Sequence, residues 1–106
     1  MNQKDQTILA KIKSAIFRKD PEAEVILFGS RARGDQGENS DWDILILLKA
    51  PNIGRKTEMA FRDALFDIEL ELGIPISTFV YSKKDWETRH SVTPLYQNIQ
   101  KEGVLL

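Results

Sequence analysis

The segment FGSRARGDQGENSDWDILILL, residues 28–48, combines two kinds of sequence that together decide the fold. Its ends are apolar, whereas its middle contains glycines, arginines and carboxylates. The apolar run VILFG at 25–29 predicts a short buried strand, and DWDILILL at 41–48 predicts a second strand with the two apolar faces of a sheet interior. Between them the chain is expected to make a turn, with a single helical turn closed by Gly34.

The rest of the chain predicts helices packed around a small sheet. Apolar residues at helical or strand spacing, together with capping and turn residues, define the remaining elements. They are a helix over 6–18, a helix over 55–72 ended by Gly73, a strand over 75–82, a helix start at Ser82 and a last helix over 95–102. This order predicts an α/β (α+β) fold with helices over one or both faces of the sheet.

Composition and length limit the class of protein. The chain has 106 residues, so we expect a single domain over 1–106 with one core. The net charge of -1 gives no overall field that would attract nucleic acid, which is therefore not expected except as an acceptor. The chain has no cysteine and no apolar run approaching the ~18 residues of a membrane span, and its start does not resemble a signal peptide. We expect a cytoplasmic protein without a membrane partner.

Two carboxylates stand at the beginning of the second predicted strand. Alternate residues of a strand point the same way, so Asp41 and Asp43 are expected on one face and Trp42 on the other, in the core. Two close carboxylates repel each other unless a positive charge lies between them. Their hard oxygens suit Mg²⁺ or Mn²⁺. The alternative is a solvated strand start whose aspartates face water.

The turn after the first predicted strand has the residues of a phosphate site. Gly29 permits a close approach of the backbone to a ligand, and Ser30 adds a hydroxyl donor. Arg31 and Arg33 add guanidinium groups that match phosphate oxygens, although one of them could instead pair with Asp35 or Glu38. The alternative is a plain Gly-Ser turn. A nucleoside triphosphate with magnesium is the ligand that would use both the turn and the carboxylates.

These two motifs resemble those of a known superfamily. Residues 29–34 (GSRARG) followed by residues 40–44 (SDWDI) resemble the GSxARG…SDxD signature of the DNA polymerase β-like nucleotidyltransferases, and most of all the minimal nucleotidyltransferases. The resemblance implies a nucleotidyltransferase (polymerase β palm-like) fold with a small mixed sheet. It also implies Mg²⁺-dependent transfer of a nucleotidyl group, AMP from ATP, to an acceptor hydroxyl on a partner molecule.

The resemblance assigns roles to individual residues and suggests a partner. Gly29 and Ser30 would hold the β- and γ-phosphates, and Asp41 and Asp43 would ligate the magnesium ions. Members of this group are often paired with HEPN-type proteins, many of them as antitoxins to ribonuclease toxins. A HEPN-type protein is therefore the partner that the resemblance implies.

One element of the superfamily pattern is missing. Active members add a third carboxylate from the neighbouring later strand, and the predicted strand over 75–82 contains no acid. The missing position falls at Ser77 or Thr78, and a hydroxyl is a poorer magnesium ligand and base than a carboxylate. Asp35 and Glu38, near the motif, are possible substitutes. Two functions therefore remain open: an active transferase, and a catalytically degenerate module that binds nucleotide or a partner, for example as an antitoxin.

Overall fold

The computed structural model describes residues 1–37 and 39–106. The elements predicted from sequence are all present, with bounds that shift by at most a few residues. In chain order they are α1 (Gln3–Lys19), β1 (Glu24–Phe28), α2 (Ser30–Arg33), β2 (Trp42–Leu48), α3 (Arg55–Leu72), β3 (Ile76–Ser82), α4 (Lys83–Thr88), α5 (Pro94–Glu102) and β4 (Val104–Leu105). The last of these, β4, was not predicted.

The strands form one mixed sheet in the order β3-β2-β1-β4. Strand β1 is antiparallel to both β2 and β4, and β2 is parallel to β3. A parallel pair requires a long crossover between its strands, and α3 supplies it. The predicted α/β class with a small mixed sheet is confirmed.

Helices cover both faces of this sheet. One face packs against α1 and α3 through alternate side chains of the two central strands, including Val25, Leu27, Trp42, Ile44, Ile46 and Leu48. The other face packs against Trp86 of α4 and Ile99 of α5 through Phe28, Leu45 and Leu47. Because both faces of β2 are buried, the strand is apolar on both sides, and its only polar residue in the sheet is Asp43, near its start.

The C-terminal strand β4 holds the end of α5 against β1. Val104 pairs with Leu27 and Leu105 with Ile26, and the Leu106 N–H donates to the Val25 carbonyl at 2.8 Å. A side chain at Gly103 would lie 2.6 Å from the Ile99 carbonyl oxygen, so glycine is required at this close approach. The backbone on both sides of Glu102 is therefore fixed. Within the described residues, no helix has the length and apolar character needed to cross a membrane.

Candidate nucleotide and metal site

The candidate site lies at the rim of the sheet where β1 ends and β2 begins. The antiparallel register pairs Phe28 with Asp43, so the turn at Gly29 and Ser30 lies directly beside the carboxylate strand. Helix α2 begins at Ser30, and the Gly29 carbonyl accepts from the Ala32 and Arg33 N–H groups at 3.1 Å each. The structure thus brings together the two motifs that are separated in sequence.

Gly29 and Asp43 are packed so closely that only glycine can occupy position 29. Gly29 has φ of 77°, in the left-handed region that other residues rarely adopt. A β-carbon at Gly29 would collide with Oδ2 of Asp43 and lie 3.0 Å from its Cγ. The Asp43 carboxylate therefore lies directly against the backbone of the turn, where a ligand could contact both.

The two aspartates form an electrostatically strained pair. Burial raises the pKa of Asp43 above its ordinary value, and the charge of Asp41 raises this pKa further. The nearby hydroxyl of Ser77 and the charge of Arg33 act in the opposite direction. A divalent cation would relieve this repulsion, and two carboxylates with hard oxygens are the protein ligands that Mg²⁺ commonly uses alongside substrate phosphates. The donors at this rim therefore fit a magnesium or manganese ion.

Ser77 lies beside Asp43 in the sheet, where the sequence resemblance leads us to expect the third carboxylate. In the parallel register of β2 and β3, Asp43 is paired with Ser77, and Thr78 is paired with Ile44, whose side chain is buried in the core. The Ser77 hydroxyl donates to Oδ2 of Asp41 at 3.0 Å. Across residues 1–37 and 39–106, no cluster of three or more acidic, histidine or cysteine side chains is suited to hold a metal. The protein would supply two carboxylates, with Ser77 orienting one of them.

Arg33 lies close enough to Asp43 for their charges to interact, and it is hydrogen-bonded to Glu102, near the C-terminal end of the chain. Its Nη1 donates to both carboxylate oxygens of Glu102, at 3.1 and 2.9 Å, and its Nε donates to Oδ2 of Asp35 at 3.1 Å. Oε1 of Glu102 also accepts from the Gly29 N–H at 3.3 Å. Glu102 was not identified from the sequence, because it lies in no motif; only the return of β4 to β1 brings it here.

Arg31 makes contacts that lead away from the carboxylates. Its Nε donates to the Ser40 carbonyl at 3.0 Å, and its Nη1 lies 3.8 Å from Oδ1 of Asp5 in α1. Its guanidinium carbon lies 4.3 Å above the ring of Trp42, which is 1% exposed in the core beneath α1 and α3. These contacts favour a structural role for Arg31 over the phosphate-binding role expected from the sequence.

Asp35, one of the two acids considered as a substitute for the third carboxylate, is engaged elsewhere. Asp35 pairs with Arg33. Glu38 lies outside the described residues. A further acid close to β3, Glu69 of α3, accepts from the Ile76 N–H at 2.6 Å and fixes the start of that strand.

The family can now be assigned from sequence as well as geometry. The model of the nucleotidyltransferase domain family matches residues 9–106. The chain belongs to this family. The resemblance inferred from the GSxARG…SDxD residues is confirmed at this level.

A relative found by sequence comparison agrees with this family assignment. A Methanocaldococcus jannaschii protein named "Putative protein adenylyltransferase MJ0141" is 41% identical over 66 residues. The matched segment covers 61% of this chain and 65% of that protein, so the chain spans somewhat less than two thirds of this relative.

Solved structures share the fold. One described as a toxin-antitoxin with AMP-PNP has a TM-score of 0.65 and 24% identity, covering 91% of this chain and 69% of the other. Another, described as "Structure of putative minimal nucleotidyltransferase", has a TM-score of 0.59 and 21% identity, covering 95% and 94% of the two chains. At these identities the likeness establishes the fold alone.

Proposed function

We propose that this protein is a Mg²⁺- or Mn²⁺-dependent nucleotidyltransferase that transfers AMP from ATP, or a nucleotidyl group from another nucleoside triphosphate, to an acceptor hydroxyl on a partner molecule. The observation that carries the proposal is the packing of Gly29 against Asp43. This packing brings the glycine turn directly beside a carboxylate whose repulsion by Asp41 a cation would relieve, which supports a joint phosphate and metal site.

The phosphates of the nucleotide would bind at the turn. The Gly29 N–H and the Ser30 hydroxyl would donate to phosphate oxygens, and Arg33 would add a guanidinium close to the carboxylates. Because Gly29 has no side chain, the Asp43 carboxylate fits against the turn, so the proposed phosphate donors and the proposed metal ligand lie side by side. These groups would fix the triphosphate so that its α-phosphorus faces the acceptor.

Asp41 and Asp43 would hold the metal ion. When bound, the ion would supply positive charge that neutralises the phosphate oxygens during transfer. Ser77 keeps Asp41 in place through its hydrogen bond at 3.0 Å. The chain itself therefore contributes mainly positioning, which is what this class of reaction requires of a protein.

The proposed reaction is a displacement at the α-phosphorus. The acceptor hydroxyl oxygen forms a bond to this phosphorus, and the bond from the phosphorus to the α,β-bridging oxygen breaks. Pyrophosphate leaves with that electron pair, and the proton of the hydroxyl passes to a base or to solvent. The acceptor becomes a phosphodiester carrying AMP.

A protein is the acceptor that we favour. The relative from Methanocaldococcus jannaschii is named for protein adenylyltransfer, and solved structures with the same fold are described as toxin-antitoxin assemblies. These names support a partner protein that presents a side-chain hydroxyl. A HEPN-type toxin is the partner that the sequence resemblance implies.

The metal assignment is tested by removing both carboxylates. We expect Asp41→Asn combined with Asp43→Asn to abolish Mg²⁺-dependent ATP binding in calorimetry while leaving the fold intact, because both residues lie at the rim of the sheet. The matched control is Asp63→Asn combined with Asp67→Asn, which removes two exposed carboxylates from α3. Equal Mg²⁺-dependent affinity in the wild type and the rim variant would exclude the proposed site.

A second candidate function follows from the serine at the third position. With Ser77 paired to Asp43, the protein offers two metal-binding carboxylates where active members of the superfamily offer three. Such a protein could bind nucleotide and a partner without transferring AMP efficiently, and act by association. The two candidates differ in the rate of transfer by the wild type.

A further inference from the structure

A protein carboxylate already lies on the groups that the proposed function assigns to the triphosphate. Oε1 of Glu102 accepts from the Gly29 N–H at 3.3 Å, and both carboxylate oxygens accept from Nη1 of Arg33, at 3.1 and 2.9 Å. A carboxylate resembles a phosphate in its negative charge and in its capacity to accept several hydrogen bonds at once.

We infer that Glu102 is an internal competitor of the triphosphate: its carboxylate occupies the phosphate donors in the nucleotide-free protein and leaves them when a nucleotide binds. The inference rests on the proposed function, because it requires Gly29 and Arg33 to be phosphate donors. It adds a competition that would lower the affinity of the site for nucleotides that carry the phosphates.

The backbone around Glu102 is too well anchored for this competition to involve movement of α5. Ile99, one turn earlier, is buried against the sheet, and β4 pairs with β1 from Val104 onward. Gly103 packs against Ile26 with no room for a side chain. The side chain of Glu102 is 20% exposed, so it can rotate toward solvent while its backbone stays in place. Release is therefore a side-chain event.

The electrostatics of the site agree with a competing carboxylate at Glu102. The charge of Glu102 contributes to raising the pKa of Asp43, so the two carboxylates are close enough to interact. A bound triphosphate would meet the same charge. Displacement of Glu102 toward solvent would lower this repulsion at the moment when the phosphates take its place.

A role as the missing metal ligand would predict the opposite behaviour. In the described residues, Glu102 does not form a three-acid metal cluster with Asp41 and Asp43, and its oxygens are engaged by Gly29 and Arg33. Removing a metal ligand would weaken binding of Mg²⁺-ATP. Removing a competitor strengthens it, because the apparent dissociation constant falls when the binding-competent state becomes more populated.

The experiment compares Mg²⁺-ATP binding by the wild type, Glu102→Gln and Glu102→Ala in calorimetry. We expect Glu102→Ala to bind about fivefold more tightly than the wild type, and Glu102→Gln to show a smaller gain because its amide oxygen can still accept from Gly29. Binding of adenosine should change less than about twofold, because it has no phosphate to take the donors.

Asp35→Asn is the matched control for charge. Asp35 also binds Arg33, at 3.1 Å, and therefore lies close to the same guanidinium, whereas Glu102 contacts both Arg33 and the Gly29 N–H. A general loss of negative charge would improve ATP binding equally in both variants. We expect Asp35→Asn to gain less than about twofold, since its exposed pair is screened by solvent.

A second measurement separates the inference from the proposed function. The Gly29 amide resonance of the nucleotide-free protein should shift in Glu102→Ala and stay near its wild-type position in Asp35→Asn. An unshifted Gly29 amide, an equal or weaker affinity of Glu102→Ala for Mg²⁺-ATP, or an equal gain in Asp35→Asn would overturn the competitor while leaving nucleotide binding by the wild type in place. If neither the wild type nor Glu102→Ala binds Mg²⁺-ATP although the Gly29 amide responds, the proposed function fails and the competitor fails with it.

Discussion

Asp43 is the residue of the candidate site at which burial, close packing and neighbouring negative charges act together. It lies near the start of a buried strand, against the backbone of Gly29 and next to the negative charges of Asp41 and Glu102. Burial is the largest of the effects that raise its pKa. A site that binds a cation tightly has this character when the cation is absent, because the ligands are held together at the expense of stability.

The raised pKa of Asp43 gives a prediction for stability. Its pKa in the folded protein exceeds the ordinary value of 3.8, so the folded state binds this proton more readily than the unfolded chain does. The contribution of Asp43 to stability therefore increases as pH falls through the raised pKa, and at neutral pH its charged form destabilises the fold. Without divalent metal, we expect Asp43→Asn to raise the melting temperature at pH 7.

The size and pH dependence of this effect can be measured by thermal unfolding in EDTA. Solvent screening limits the gain to about 1 kcal/mol or less, which corresponds to at most about 4–8 °C for a domain of this size. The gain should shrink as pH is lowered through the folded pKa of Asp43, because the wild-type carboxyl then becomes neutral. Asp63→Asn on α3 is the control. A variant less stable than the wild type at pH 7 would contradict the strain that we assign to Asp43.

Local patterns in the sequence predicted most of the helices and strands. The isoleucine stripe of α1, the apolar run of β2 and the glycine after α3 each depend on neighbours in sequence, so their elements were predicted within a few residues. Strand β4 was missed because it has two residues, both of them exposed, and exists through pairing with β1. Elements that need a distant partner leave little pattern of their own.

The same distinction between local patterns and long-range contacts explains which parts of the candidate site could be predicted. Asp41, Asp43 and the glycine turn could be proposed as site residues from the sequence because strand alternation and motif spacing are local features. The contact between Glu102 and Gly29 joins residues 73 positions apart, and the stacking of Arg31 on Trp42 depends on how α2 packs at the rim of the sheet. Neither contact follows from the types of residue or from their spacing.

The register of β2 and β3 leads to a prediction about catalysis. It pairs Ser77 with Asp43, so Ser77→Asp would add a carboxylate at the third position. We expect this variant to bind Mn²⁺ more tightly and to transfer AMP to the acceptor at least about tenfold faster, an effect equivalent to ~1.4 kcal/mol in the barrier. Transfer is measured with labelled ATP and the partner protein.

Ser77→Asn is the control for this experiment, since it has nearly the same size as the aspartate variant without its charge. The melting temperature must be measured as well, because a third carboxylate beside two others is costly without metal. A folded Ser77→Asp protein with unchanged metal binding would show that Ser77 is not the third position. Rapid transfer by the wild type would show instead that another acid completes the site and would exclude the degenerate module.

The short helix α2 connects the two helical layers that cover the sheet. Arg31 connects to α1 and to Trp42 in the layer formed by α1 and α3. Arg33 connects to Glu102 at the end of α5, in the layer on the opposite face. A helix of four residues thus sends one arginine to each side of the sheet. The two side chains have the same chemistry and different surroundings, so they should have different functions.

This difference gives a prediction in which each arginine affects one property. Arg31 is 11% exposed and stacks on a buried tryptophan, so we expect Arg31→Ala to lower the free energy of unfolding by about 1–3 kcal/mol. The affinity of the folded protein for Mg²⁺-ATP should stay within about twofold, because Arg31 does not belong to the proposed phosphate site. Arg33 is 45% exposed, so Arg33→Ala should change stability little and weaken ATP binding about fivefold or more.

Urea unfolding and calorimetry at a temperature where both variants are folded would measure the two effects. Arg31→Lys serves as a further control, since it keeps the charge and loses the planar group that stacks on Trp42; a structural role predicts that it is destabilised as well. If Arg31→Ala were fully stable and lost ATP affinity, the phosphate role that the sequence suggested for Arg31 would be correct. Such a result would contradict the division of roles between a structural Arg31 and a phosphate-binding Arg33.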